Sequence, residues 1–326
     1  MRQVARRHFL VVAGAFIAAP FAEAQPVYPS RPVRIVVGFP PGGFTDNLAR
    51  LLAEKAASQL GQPVIVDNKP GAGAIIAAQH VATAAGDGHT LFLTLSGALI
   101  NNIALYRALP YKPGRDFTYI AMLGTGPVLI AVHKAVPVSN LKELVAYARS
   151  GGNLNFGSWA LGSAGHILCE ALNKSYQLSL LHVPYKGEGP LIQDLVGGQI
   201  NIGAGSVGAM RPHMRSGSLK AIGVTGTQRS STMPEVMTLL EQGASDPAFT
   251  TIGWVGLVGP AGMPRDAVER WATIVREFLK MPDVLQRFDT YGFEPKFVPT
   301  EAFFRTWQAD VPVWTKLLND TGVKLD

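Results

Sequence analysis

The chain has 326 residues, with 29 Lys and Arg against 23 Asp and Glu, a formal charge of +6 and one cysteine. The positive excess is mild, the basic residues are scattered and none of them is interleaved with aromatics, which argues against nucleic acid and fits an anionic small ligand. The lone thiol, Cys169, cannot make an internal disulfide, and it sits at apolar spacing in a helical pattern, as a core residue does.

The chain opens with Arg2, Arg6 and Arg7 ahead of an apolar run from Phe9 to Pro20. That run is too short to span a bilayer and ends in Ala22-Glu23-Ala24, an A-x-A cleavage pattern, so residues 1–24 read as an export signal. Arg6-Arg7-His8-Phe9-Leu10 also resembles the twin-arginine signal, which exports folded proteins. Either route leads out of the cytoplasm, to the periplasm. No later apolar run approaches the roughly 18 residues of a membrane span, and no lipid-anchor cysteine follows the signal. The mature chain should therefore be soluble, with about two domains' worth of residues.

Strand patterns then alternate with helix patterns. Strands are expected at Val33–Val37, Val64–Asp67, Leu91–Thr94, Ile120–Leu123, Val128–His133, Leu154–Phe156, Leu181–Val183, Ile200–Ile202 and Ala221–Thr225. Leu48, Leu51, Leu52 and Leu60 mark one helix, and Leu141, Leu144, Val145 and Ala148 another. Such alternation predicts an α/β protein with mainly parallel sheets covered by helices. Nine strands suit two sheets better than one. The expected domains are 25–124 with 251–326, and 125–250. Gly124-Thr125-Gly126-Pro127 forms one crossing, and a return lies near Thr250 to Trp254. Val268, Trp271, Val275 and Phe278, then Phe303, Phe304, Trp307, Val311, Trp314 and Leu318, mark C-terminal helices packed back on the first domain, with Pro312 kinking the last.

Two glycine-rich strand-to-helix turns stand out. In Val33 to Asp46 an apolar β-branched run breaks into Pro40-Pro41-Gly42-Gly43 and enters a helix. The unpaired N–H groups and partial positive charge of a helix start make such a turn a seat for a carboxylate or phosphate. The prolines restrict the loop, Gly42 and Gly43 let a ligand oxygen reach the backbone, and Thr45 adds a hydroxyl. Asp46 either caps the loop's own N–H groups or receives the cationic part of a ligand. The second turn, Asn155 to His166, carries Ser158, Gly162, Ser163, Gly165 and His166. Its hydroxyls and free N–H groups suit an anion, and His166 either donates to that anion or caps the helix. Trp159 offers an apolar wall. Ligands of open α/β sheets bind at the carboxyl ends of strands, where both turns lie, so the two are expected to face each other across a cleft.

Other chemistries find little support. Gly203-Ala204-Gly205-Ser206-Val207-Gly208 matches G-x-G-x-x-G, but Val224-Thr225-Gly226-Thr227-Gln228 stands where a dinucleotide fold needs an acid. No nucleophile elbow, Walker loop or H-E-x-x-H pair occurs, and no cofactor or metal is implied. An extracytoplasmic enzyme would have to use His166 as base with Ser158 or Ser163 as nucleophile.

Several motifs, in order along nearly the whole mature chain, resemble the Bug family, extracytoplasmic solute receptors of tripartite tricarboxylate transporters. They are Tyr28-Pro29-Ser30-Arg31-Pro32-Val33, Phe39-Pro40-Pro41-Gly42-Gly43 with Asp46, Gly61-Gln62-Pro63-Val64, Pro70-Gly71-Ala72-Gly73, Leu109-Pro110-Tyr111, Gly157-Ser158 with Gly162-Ser163 and His166, His182-Val183-Pro184-Tyr185-Lys186-Gly187, Asp194-Leu195 with Gly197-Gly198-Gln199, and Trp254 with Gly256-Leu257. The resemblance implies a two-domain flytrap that closes on a small carboxylate and delivers it to membrane permease subunits, without catalysis. It implies contacts from Phe39, Gly42, Gly43, Thr45 and Asp46 in the first loop and from Ser158, Ser163 and His166 in the second. Tyr185 and Lys186 would lie near the cleft, and Ser96 follows from its place just after a strand. The chain departs from the family pattern at Trp159-Ala160-Leu161, Asn201 and Val255, and bulk at Trp159 either shrinks the pocket or favours an aromatic acid. A ligand-sensing subunit of a signalling system is the remaining alternative.

Overall fold

A computed structural model describes residues 28–151 and 154–325, so the export signal expected at 1–24 lies outside the described residues. The first lobe begins with β1 (Val33–Val37), α1 (Phe44–Leu60), β2 (Val64–Asn68), α2 (Ile75–Ala82), β3 (Thr90–Leu95), the short helices α3 (Ser96–Leu99) and α4 (Asn101–Leu105), and β4 (Phe117–Gly126). The second holds β5 (Val128–His133), α5 (Leu141–Arg149), β6 (Asn155–Ser158), α6 (Ala164–Tyr176), β7 (Leu181–Pro184), α7 (Glu188–Val196), β8 (Ile202–Ser206), α8 (Val207–Arg215) and β9 (Leu219–Val224). The chain returns through β10 (Gly253–Pro260), α9 (Arg265–Phe278), α10 (Pro282–Tyr291), β11 (Glu294–Pro299) and α11 (Thr300–Asp320).

Two sheets result, ordered β11-β4-β10-β3-β1-β2 and β7-β6-β8-β5-β9. They are mixed, which corrects the expectation of mainly parallel sheets. β1 pairs in parallel with β2 and β3, and β6 with β7 and β8, while β10 with β3 and β4, β11 with β4, and β5 with β8 and β9 are antiparallel. The reason lies in the crossings. The chain leaves the first sheet through β4 and re-enters through β10, and an outgoing and a returning strand lying side by side must run in opposite directions.

Two strands of the last third escape the sequence reading. β10 carries Gly253, Gly256 and Gly259, which weaken strand patterning, yet a Cβ at Gly256 would collide with the Phe303 ring. Glycine there admits α11 against the sheet. β11 contains Pro295 and Pro299 and forms an edge, its pairing with β4 interrupted between Pro295 and Val298, as prolines in strands require. In the second lobe, Gly203 and Gly205 lie inside β8 rather than in a turn, which removes the dinucleotide reading.

The aromatic stripes of α9 and α11 pack as core. Trp271, Phe278 and Phe303 are fully buried and Trp314 nearly so, and the helix continues through Pro312 to Asp320. Cys169 is a buried free thiol. The lobes meet through specific contacts. Arg211 of α8 donates to both carboxylate oxygens of Asp289 at 2.9 and 3.0 Å and to its carbonyl at 3.0 Å. A Cβ at Gly208 would collide with the backbone of Tyr291, so glycine at that position lets α8 approach the end of α10.

Candidate functional site

The first loop is organised by Asp46. Gly42 turns the chain with φ of +89°, a conformation that glycine adopts without strain, and its N–H donates to Asp46 Oδ2 at 2.8 Å. Arg50 Nε (3.0 Å) and Asn68 Nδ2 (2.9 Å) donate to the same carboxylate, and Asn68 Nδ2 reaches the Phe39 carbonyl at 3.1 Å. Burial alone would raise the Asp46 carboxyl, but these donors outweigh it and hold the group below its ordinary value. Of its two sequence-based roles, Asp46 therefore takes the first and ties the loop together. Gly43 caps α1 in an extended conformation (φ −78°), and no side chain caps that helix.

The second loop is braced by two histidines. Ser163 Oγ accepts the backbone N–H of His166 at 3.3 Å and so caps α6, while His166 Nδ1 accepts from the Gly162 N–H at 3.2 Å. The His166 ring stacks on His182, with centroids 3.9 Å apart and planes within 6°. Ser158 Oγ donates to the Ala160 carbonyl at 3.0 Å and lies 2.7 Å from His182 Nε2, which accordingly donates to it. The nucleophile–base pair considered for an enzyme, His166 with Ser158 or Ser163, does not form. Ser163 meets only the backbone of His166, and Ser158 is fully buried against His182.

Burial lowers the pKa of His166, and burial followed by the charge of His166 pushes His182 down to about 4. An unfolded histidine, near 6.5, takes up a proton that folded His182 refuses, so stability is full above 6.5 and falls as pH drops from there towards 4. His182→Gln, which keeps a donor for Ser158, should flatten that part of a melting-temperature profile against pH.

Between the lobes lies a cavity in two adjoining chambers, about 850 and 440 Å³, which share Phe39, Leu95, Gly126, Val128, Trp159 and Phe293. Gly43, Phe44 and Thr45 line the larger chamber, and Ser96, Gly162 and Ser163 line the smaller. The loops thus meet across one cleft, with Trp159 facing Gly43 in the same chamber and Ser163 in the next. Ser96 Oγ also accepts the Trp254 N–H at 3.4 Å. Gly42, Asp46, Ser158, His166, Tyr185 and Lys186 line neither chamber. Tyr185 instead donates to Asp194 Oδ2 at 2.7 Å, its hydroxyl pushed up to about 12 by burial and then by that carboxylate, and Lys186 is exposed.

Residues 48–323 match the model of the tripartite tricarboxylate transporter family receptor. BugT of Bordetella pertussis is 34% identical over 319 residues, covering 97% of this chain and 96% of that protein. The chain belongs to this receptor family. The periplasmic binding protein BugD superposes on it with a TM-score of 0.75 at 32% identity, covering 91% of this chain and 99% of that one. The structure of R. palustris Rpa4515 with adipate gives 0.79 at 31%, with the same coverage. The receptor is thus a periplasmic solute-binding protein with the two-domain flytrap fold of these neighbours.

Several cavity residues of the receptor carry no signal in its loops. Tyr291 and Phe293 arrive from the end of α10, and Glu188 and Ser206 from the starts of α7 and α8. Glu188 sits beside the start of α8, which Ser206 caps. The Ser206 backbone N–H donates to Glu188 Oε1 and the Ser206 hydroxyl donates to Oε2 at 3.0 Å. Burial pushes the Glu188 carboxyl up, and the two Ser206 donors oppose that shift. An acid flanked by glycines in Lys186-Gly187-Glu188-Gly189-Pro190 was the available signal, since acids at a helix start favour the N-terminal dipole.

Proposed function

We propose that the receptor captures a small carboxylate between its two loops and presents it to membrane permease subunits of a tripartite tricarboxylate transporter, without altering it. The observation that carries this reading is the start of α1. Its first residues line the larger chamber, no side chain caps it, and the residue at its mouth is glycine. Aligned N–H donors at a helix start replace the hydration of a carboxylate and need no counter-cation. The adipate bound to Rpa4515 supports the same ligand chemistry.

Within this reading, Phe39, Gly43 and Thr45 contact the ligand from the first loop, Trp159 and Ser163 from the second, and Ser96 from the start of α3. Gly42 and Asp46 hold the first loop in shape, and Ser158 and His166 brace the second. The lobes are 25–124 with 251–326, and 125–250, and the segment 1–24 directs export and is removed. Because the ligand touches both lobes, it binds the closed arrangement more tightly and shifts the hinge towards it. Arg211→Ala removes a link between the lobes and should weaken apparent affinity roughly threefold to tenfold while leaving the contact residues intact, as calorimetric titration would read.

A thermal-shift panel of mono-, di-, tricarboxylic and aromatic acids tests the reading. A ligand present at about 100 times its dissociation constant adds about 2.7 kcal/mol of stability. A flat response across the panel, or turnover of any member, would overturn it.

A further inference from the structure

The charges on the cavity wall are few and of one sign. Among the described residues no Lys, Arg or His lines either chamber, and the single charged side chain on both walls is Glu188. It is a built feature. Both its oxygens accept from Ser206, and a Cβ on Gly205 would stand 3.1 Å from Oε1, so glycine leaves the carboxylate its room. The protein's own carboxylate thereby stands beside the start of α8, whose cap Ser206 also accepts the Ala209 N–H, whereas the start of α1 has neither a side-chain cap nor an acid on the chamber wall. The rest of the wall is uncharged and carries five aromatic side chains, Phe39, Phe44, Trp159, Tyr291 and Phe293.

We infer that Glu188 is a specificity residue that restricts the ligand to a monocarboxylic acid with an apolar, aromatic-sized body and a hydrogen-bond donor at its far end. The inference rests on the carboxylate-receptor reading and narrows it. One carboxylate is solvated at α1. A second, across the same chamber, would meet the Glu188 oxygens, which already accept from Ser206, with no basic side chain on the wall to offset it, and acceptors or like charges juxtaposed without a donor between them are disfavoured. An O–H or N–H at that end would instead donate to an acceptor already held in place, and discrimination by a repulsive element is how such sites reject near-isosteres.

The test compares 4-hydroxybenzoate with terephthalate, which share a ring and one carboxylate, by calorimetry at pH 8. The wild-type receptor should prefer 4-hydroxybenzoate by about tenfold or more, and Glu188→Gln should bring the two to within about threefold of each other. Glu188→Ser serves as a second variant and should narrow the gap likewise. Equal or tighter binding of terephthalate by the wild type, or a preference unchanged in both variants, would overturn the inference while leaving a carboxylate receptor. Failure of both probes and of every acid of the carboxylate panel to bind the wild type would overturn the receptor reading as well.

Discussion

Gly43→Val should abolish measurable ligand binding, a loss of about a hundredfold or more, while the receptor stays folded. The backbone at Gly43 is already in the extended region that valine favours, and a Cβ there has no neighbour closer than the Pro40 carbonyl at 3.9 Å. The substitution is therefore sterically free in the unliganded protein. The cost is a poorer helix cap, worth up to about 1 kcal/mol. The side chain would, however, stand at the mouth of α1, where a carboxylate must come within hydrogen-bond distance of the backbone. Titration with the best ligand of the carboxylate panel, together with an unchanged circular dichroism spectrum and a melting point lowered by no more than about 4 °C, checks both halves of this expectation. Gly42→Val would test something different, because Gly42 sits at positive φ and any side chain there strains the loop itself.

Asp46→Ala should destabilise the receptor by about 3 kcal/mol and weaken ligand binding together with it. The Asp46 carboxylate is buried and joins three elements, the Gly42 turn, α1 through Arg50, and the end of β2 through Asn68. Its removal loses the charge-assisted hydrogen bonds from the Asn68 amide and the Gly42 N–H, each worth about 1.5–3 kcal/mol, although the amide keeps the Phe39 carbonyl. The half-exposed Arg50 contributes little, since water screens it. The folded carboxyl titrates below its unfolded value, so its contribution is present above the unfolded pKa and lost as pH falls through the folded one. Chemical denaturation at neutral pH and at pH 3 should accordingly find the deficit of the alanine variant smaller in acid.

Both loops are legible in the sequence because each is a local event, in which an apolar strand, a glycine turn and a helix start follow one another within about a dozen residues. What escapes is non-local. Whether Asp46 faces a ligand or its own loop depends on Asn68, 22 residues away, and Ser158 finds His182 rather than the nearer His166. Tyr185 and Lys186 belong to a motif that resembles the family's, yet they follow the edge strand β7 and line neither chamber. Glycine and proline hide β10 and β11 for opposite reasons. Gly256 clears space for Phe303, while Pro295 and Pro299 are tolerated only because β11 has one neighbour. Glu188 enters the cavity because α7 and α8 are brought side by side, a placement that no spacing along the chain encodes.

The most direct trial is a crystal structure of the receptor with its tightest-binding acid. The carboxylate should accept hydrogen bonds from the backbone at the start of α1, with Trp159 and Ser163 of the opposite lobe closing over the same molecule and no Lys or Arg within reach. A guest held by one lobe alone, or paired with a basic side chain elsewhere on the surface, would contradict the account.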